Sequence, residues 1–166
     1  MNIAPDCRLN HAPACRPQLT PDCRLHHIGV VTRGIDKELP FFESLGYQSV
    51  SSVFTEPGQK VRGLFIAAPG QPTLELLENL GPSGPLDTPL ARGIKLYHFA
   101  YATDDIEAAL AAITADGRAK IISPLTGGAY FSRLCFVMLP NMMLIELVEM
   151  PGHHHPDNET PDRSGE

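Results

Sequence analysis

The sequence predicts an α+β domain made of two copies of one β-α-β-β-β module, and three observations carry that prediction. Leu25-His-His-Ile-Gly-Val-Val-Thr32 and Leu96-Tyr-His-Phe-Ala-Tyr-Ala-Thr103 are near-repeats of one apolar run with a histidine in its third place. Each of those histidines is followed 48 residues later by a glutamate inside a second apolar run, Glu75 after His27 and Glu146 after His98. Between histidine and glutamate, both copies pass through a stretch with helical spacing and then strand-like runs divided by Gly/Pro turns.

The bulk properties suit one ordinary domain. A chain of 166 residues is long enough to bury a sizeable core. Its 43% hydrophobic and 19% charged residues describe a globular protein rather than a disordered one. A formal net charge of −6, with basic residues scattered singly, argues against nucleic acid or an anionic membrane as the main partner. The start has neither a basic n-region nor a continuous apolar h-region, and the longest apolar runs are far too short to span a bilayer. A cytoplasmic location is therefore expected.

Residues 1–23 hold an echo, Pro5-Asp-Cys-Arg-Leu9 and Pro21-Asp-Cys-Arg-Leu25, in a proline-dense setting. Cys7, His11, Cys15 and Cys23 match no standard metal spacing, so this stretch is read as a flexible leader. The domain itself is expected over 24–150, with modules at 25–79 and 94–149.

In the first module, Leu25 to Val31 reads as a strand. Lys37 to Leu45 reads as a helix stopped by Gly46, and Tyr47–Phe54, Val61–Ala67 and Thr73–Leu77 read as strands. Glu56-Pro-Gly58 is placed in a turn. A Gly/Pro-rich linker over 80–93 follows, with a helical turn near Leu86 to Ala91. In the second module Leu96–Ala102 is a strand. Asp104–Ala115 is a helix with an acidic first turn and a Gly117 stop, and Lys120–Ser123, Phe131–Met138 and Met142–Val148 are strands. Residues 151–166, with three consecutive histidines at 153–155, read as a disordered, solvated tail.

Strand side chains alternate faces. His27 therefore shares a face with Gly29 and Val31, and His98 with Ala100 and Ala102; the other face carries His26, Ile28 and Val30, and Tyr97, Phe99 and Tyr101. Bulk on one side and small residues beside each histidine place helices over the former and an open cleft over the latter. Glu75 and Glu146 each sit mid-strand among apolar neighbours, where a carboxylate is costly to bury unless it is paired or bound to a metal. A pseudo-twofold axis that joined His27, Glu75, His98 and Glu146 would give an N2O2 set with two open positions. That set suits Zn, Ni, Co, Mn or Fe(II). His26 competes with His27, but the repeat aligns His27 with His98.

On these residues the chain resembles the vicinal oxygen chelate superfamily, which includes glyoxalase I, ring-cleaving dioxygenases and antibiotic-resistance proteins. The resemblance covers Leu25 to about Met150 and looks most like the methylmalonyl-CoA epimerase branch. It is carried by His27-Ile-Gly-Val-Val, Glu75-Leu-Leu-Glu-Asn-Leu-Gly81, Tyr97-His-Phe-Ala-Tyr, Thr103-Asp-Asp-Ile-Glu107, Ser132-Arg-Leu-Cys-Phe136 and Leu144-Ile-Glu-Leu147. Glu rather than Gln at position 75 is similar to bacterial glyoxalase I.

The resemblance implies a U-shaped, partly closed mixed sheet around a metal cleft, with metal ligands at His27, Glu75, His98 and Glu146. It also implies an isomerase, epimerase or lyase that works through an enolate on a small acid or acyl thioester, with Glu146 or Glu75 as the base. Arg133 and Arg62 are the candidates for anchoring an acidic substrate. A small-molecule substrate and a homodimer are the expected partners. One departure stands out: where the epimerases carry a second carboxylate on the third strand, this chain has Gly63, and Glu56 from its turn or Glu43 from the helix is the candidate to enter the cleft instead. The rival readings are an Fe(II) oxygenase and a non-catalytic binding or resistance protein of the same superfamily.

Overall fold

The computed structural model describes residues 19–150. Nine strands form one mixed sheet that does not close into a barrel. The first half contains β1 (Arg24–Val31), α1 (Ile35–Glu43), β2 (Gln48–Ser49), β3 (Phe54–Glu56), β4 (Val61–Ala67) and β5 (Leu74–Asn79). After α2 (Asp87–Ala91), the second half contains β6 (Leu96–Ala102), α3 (Ile106–Thr114), β7 (Lys120–Gly127), β8 (Arg133–Met138) and β9 (Leu144–Glu149).

The order across the sheet is β2-β4-β5-β1-β6-β9-β8-β7, with β3 paired to β4. Each half repeats one scheme: its first strand pairs parallel with its last (β1 with β5, β6 with β9), and the two first strands meet antiparallel at the centre. The two histidine-bearing strands are thus neighbours, each flanked by its own glutamate-bearing strand.

Helices cover the face away from the cleft. Leu74 and Leu76, on either side of Glu75, pack with Val30, Ile35, Leu64 and Ile66 under α1. Ile145 and Leu147, on either side of Glu146, pack with Ile106, Ala109 and Ile113 of α3. The α3 positions recur at helical spacing, and the Asp105 side chain caps the helix by accepting from the Ala108 N–H at 2.9 Å. Burial of the apolar neighbours thereby fixes the opposite orientation of the two glutamates.

Several local expectations differ from the structure. The run 47–54 is split into β2 and β3, because Val50 and Val53 face outward and Ser51 uses its hydroxyl to accept from the Phe65 N–H at 3.0 Å. Glu56 is the last residue of β3 rather than a turn residue. Within the stretch expected to be a leader, Leu19 and Cys23 pack against the α3 cluster, and Asp22 accepts from the Thr103 hydroxyl at 2.5 Å. Cys7, His11, Cys15, the remainder of 1–18 and the tail 151–166 with its histidine triplet lie outside the described residues. Among the described residues no helix is long and apolar enough to cross a membrane.

Candidate metal centre

Backbone register brings the four predicted residues together. Gly29 of β1 faces Glu75 on one side and His98 on the other, and Ala100 of β6 faces His27 and Glu146. A residue with little or no side chain therefore lies opposite each histidine. A Cβ at Gly29 would stand 2.3 Å from Cε1 of His98, well inside van der Waals contact, so the imidazole occupies space that only glycine leaves.

The Nε2 atoms of His27 and His98 are 3.1 Å apart. Glu75 Oε2 lies 3.1 Å from the first and 3.5 Å from the second; Glu146 Oε2 lies 3.3 and 3.2 Å from them. All four donor atoms fall within 4.8 Å of one another, and the residues are between 0% and 6% exposed. Ligand atoms held about 2.1 Å from a common centre are separated by about 3.0 Å at cis octahedral positions and about 3.4 Å at tetrahedral ones. The His–His and His–Glu separations of 3.1–3.5 Å lie close to those values, so the donor set could hold one transition-metal ion.

Charge points the same way. Burial alone would lower the histidine pKa values and raise those of the glutamates. The mutual contacts outweigh it: His98 is held up at about 9 by Glu146 and then Glu75, His27 is raised, Glu75 is held down at about 2 by His27 and His98, and Glu146 is lowered. Two buried carboxylates need two positive charges. Imidazoles supply them when protonated, and one divalent cation supplies the same charge when the imidazoles are neutral. Glu146 Oε2 is buried within ion-pair distance of both histidines, yet has no hydrogen-bond partner of good geometry. An unfulfilled acceptor aimed into a ring of donor atoms is what a cation would satisfy.

Two β-bulges qualify the expected alternation. Between Leu25 and His27, and between Gly29 and Val30, the β1–β6 register shifts by one residue, so His26 on β1 and Tyr97 on β6 are the extra residues. They precede the two histidines at matching positions, and neither joins its alternate neighbours beneath the helices. His26 packs against Phe65 and Phe131, and its Nδ1 lies 2.9 Å from Nδ1 of His27. That contact leaves Nε2 of His27 to face the cluster, as an orienting partner of a metal ligand does. Nδ1 of His98 has no hydrogen-bond partner among the described residues. Tyr97 meets the His98 ring edge-on at 5.5 Å and lines the cleft.

The cleft beside the cluster has a volume of about 220 Å³ and is lined by Glu75, His98 and Glu146. Neither predicted anchoring arginine is among its lining residues. Arg133 makes a two-pronged contact with Glu149, at 2.7 Å from each oxygen, and also bonds Glu107. Arg62 pairs with Glu78 at 2.7 Å. Glu149 is 4% exposed and ends β9 opposite Arg133 of β8.

Glu56, a candidate from its turn, and Phe54, which sequence reasoning did not place at the site, both line the cleft. Glu56 is 8% exposed, lines the cleft, and accepts from the Ala129 N–H at 2.6 Å. Phe54 shares its β3 face and is the Cα partner of Gly63. A Cβ at Gly63 would stand 2.4 Å from the tip of the Phe54 ring and 3.0 Å from Glu75 Oε1. An aromatic wall therefore occupies the place where a third-strand carboxylate would begin, and the period-two pattern of 54 and 56 is the signal that could have revealed it.

Comparison with known proteins agrees with this architecture. The chain is similar to a hypothetical protein from Bacillus halodurans (24% identity over 80% of this chain and 98% of the other, TM-score 0.67). It is also similar to a methylmalonyl-CoA epimerase from Mycobacterium tuberculosis (24%, 76% and 87%, TM-score 0.64). A third likeness is to a variant of the Streptomyces coelicolor methylmalonyl-CoA epimerase in complex with 2-nitronate-propionyl-CoA (24%, 84% and 100%, TM-score 0.66). At these identities the likeness speaks for the fold alone. No curated protein sequence matches the chain. A family model does, over residues 26–136, from the first histidine pair into β8. The chain belongs to the Glyoxalase/Bleomycin resistance protein/Dioxygenase superfamily.

Proposed function

We propose that this protein is a divalent-metal-dependent enzyme of the isomerase, epimerase or lyase type, which moves a proton next to a carbonyl of a small acyl compound. The observation that supports it most is the buried His27–Glu75–His98–Glu146 cluster with three of its members lining one cleft. Zn, Ni, Co, Mn and Fe(II) all accept two imidazoles and two carboxylates. Bound among these side chains, such an ion would act as a Lewis acid that acidifies the C–H beside a substrate carbonyl.

The chain's own groups then carry the proton. Glu146 is the first candidate: it is a carboxylate held in the ionised form, it lines the cleft, and one of its oxygens lacks a hydrogen-bond partner. Glu75, on the opposite side of the histidine pair, is the second. The apolar wall beside them keeps water from competing for the proton. A second protein carboxylate in the donor set disfavours the Fe(II) oxygenase reading, whose usual set is two histidines and one carboxylate.

The test is solvent deuterium exchange. In D2O, the metal-loaded protein should wash deuterium into the α-carbon of 2-methyl acyl thioesters or related carbonyl compounds, and Glu146→Gln should not. Absence of exchange across the whole panel, with each divalent ion in turn, would contradict the proposal.

A further inference from the structure

The lining of the cleft has a charge pattern that limits what can enter it. Among the described residues no lysine or arginine lines it. The two arginines nearest in role are engaged elsewhere, Arg133 with Glu149 and Glu107 and Arg62 with Glu78. Once Glu75 and Glu146 are balanced by a dication, the charge left in the lining is Glu56. It is held in place by the Ala129 N–H at 2.6 Å. An incoming carboxylate would meet a buried negative charge and no compensating cation.

Apart from Gln59 and Ser123, whose side chains meet each other at 3.5 Å, the rest of the wall is aromatic and aliphatic. Phe54 and Tyr130 lie with ring centroids 4.8 Å apart, both pack on Phe65, and Tyr130 meets Phe131 at 5.1 Å. Phe54, Tyr130 and Phe131 all face the cleft, as do Leu77, Leu86 and Leu134. The ring of Phe54 fills the space a side chain at position 63 would need. The same packing that excludes a third-strand carboxylate thus provides a flat apolar surface beside Glu75.

We propose that this cleft takes an uncharged ligand, a carbonyl or hydroxy-carbonyl compound with an aromatic or branched apolar body, and disfavours ligands that bring a free carboxylate into it. The body lies against Phe54, Tyr130 and Phe131, and Glu56 accepts from a hydroxyl or N–H on the ligand. The placement of the ligand's carbonyl rests on the metal reading above; its charge and apolar body rest on the lining alone.

Hydroxamates test this, because they present one chelating head on interchangeable bodies. Binding of acetohydroxamate, benzohydroxamate and para-carboxybenzohydroxamate to the full-length, cobalt-loaded protein is followed by calorimetry and by the cobalt absorption bands. Benzohydroxamate should bind about tenfold more tightly than acetohydroxamate. The added carboxylate should cost about tenfold or more. Glu56→Gln, which keeps an oxygen for Ala129, should shrink the carboxylate penalty, and Phe54→Leu should shrink the aryl advantage; thermal melts confirm that each variant folds. Equal or tighter binding of the carboxylated probe, or no preference for aryl over methyl, would overturn the proposal. If the protein takes up no metal, the metal reading fails separately. The aryl pair is then compared on the ion-free chain by saturation-transfer NMR, where preference for the neutral member supports the inference and its absence or reversal overturns it.

Discussion

Replacing Gly29 by alanine adds one methyl group on the opposite strand from His98, and the structure says where it would go. The new Cβ would stand 2.3, 2.5 and 2.6 Å from Cε1, Nδ1 and Nε2 of His98, whereas ordinary contact begins near 3.4 Å. The ring must retreat by about 1 Å, since the Gly29 backbone is fixed by pairing to both β5 and β6. Gly29 lies in a strand and has no positive φ, so alanine carries no backbone penalty there. The cost falls on the donor set, where displacement of a ligand's supporting contacts lowers metal affinity by roughly 10 to 100-fold. Competition with a coloured chelator on Gly29→Ala measures this directly. Gly34→Ala is the control, because its Cβ would meet Lys37 at an unstrained 3.5 Å and should leave affinity unchanged. Affinity within about twofold of the parent in Gly29→Ala would refute the reasoning.

Three further outcomes follow from contacts outside the cluster. Burial pushes the Cys135 thiol up to about 11 and the residue is wholly buried, so alkylation of the native protein near neutral pH should leave Cys135 unmodified, with labelling only after unfolding; mass spectrometry reads this. The Thr103 hydroxyl, with help from Thr20, holds the Asp22 carboxyl well below the usual carboxylate range. Its folded pKa is depressed, so its stabilising contribution is complete above about pH 4 and fades as pH falls further; the stability gap between parent and Asp22→Asn should close on acidification, which urea titrations at several pH values check. Arg133→Met leaves the buried Glu149 without its two-pronged partner and should cost about 2–3 kcal/mol in chemical unfolding, while the added Glu149→Gln change should recover part of that loss.

Much of the site was legible because the sequence states it twice. The repeated strand, the common 48-residue spacing and the alternation of Leu74, Glu75 and Leu76 and of Ile145, Glu146 and Leu147 all follow from period-two geometry in a pseudo-symmetric sheet. That geometry needs only the local pattern, and the apolar flanks are what the helices bury. The cleft walls needed more. His26 and Tyr97 escape simple alternation because a bulge inserts each as an extra residue, and a bulge depends on how two distant strands register. Arg133 and Arg62 were candidate anchors from their places on predicted strands, but their partners Glu149 and Glu78 come from adjacent strands that only the sheet register brings beside them. Glu56 looked like part of a turn because Pro57 and Gly58 follow it. Its role at the cleft comes from Ala129, 73 residues away in the turn between β7 and β8.

The proposed metal centre has His27, Glu75, His98 and Glu146 holding one divalent cation. It is tested most directly by metal analysis of protein ending at Met150, so that the histidine triplet at 153–155 contributes nothing. About one transition-metal ion per chain is expected, removed by chelator with a fall in melting temperature and absent from His98→Ala. A protein that carries no stoichiometric metal under any divalent ion and melts at the same temperature in chelator would contradict it, as would a His98→Ala variant that retains the full complement.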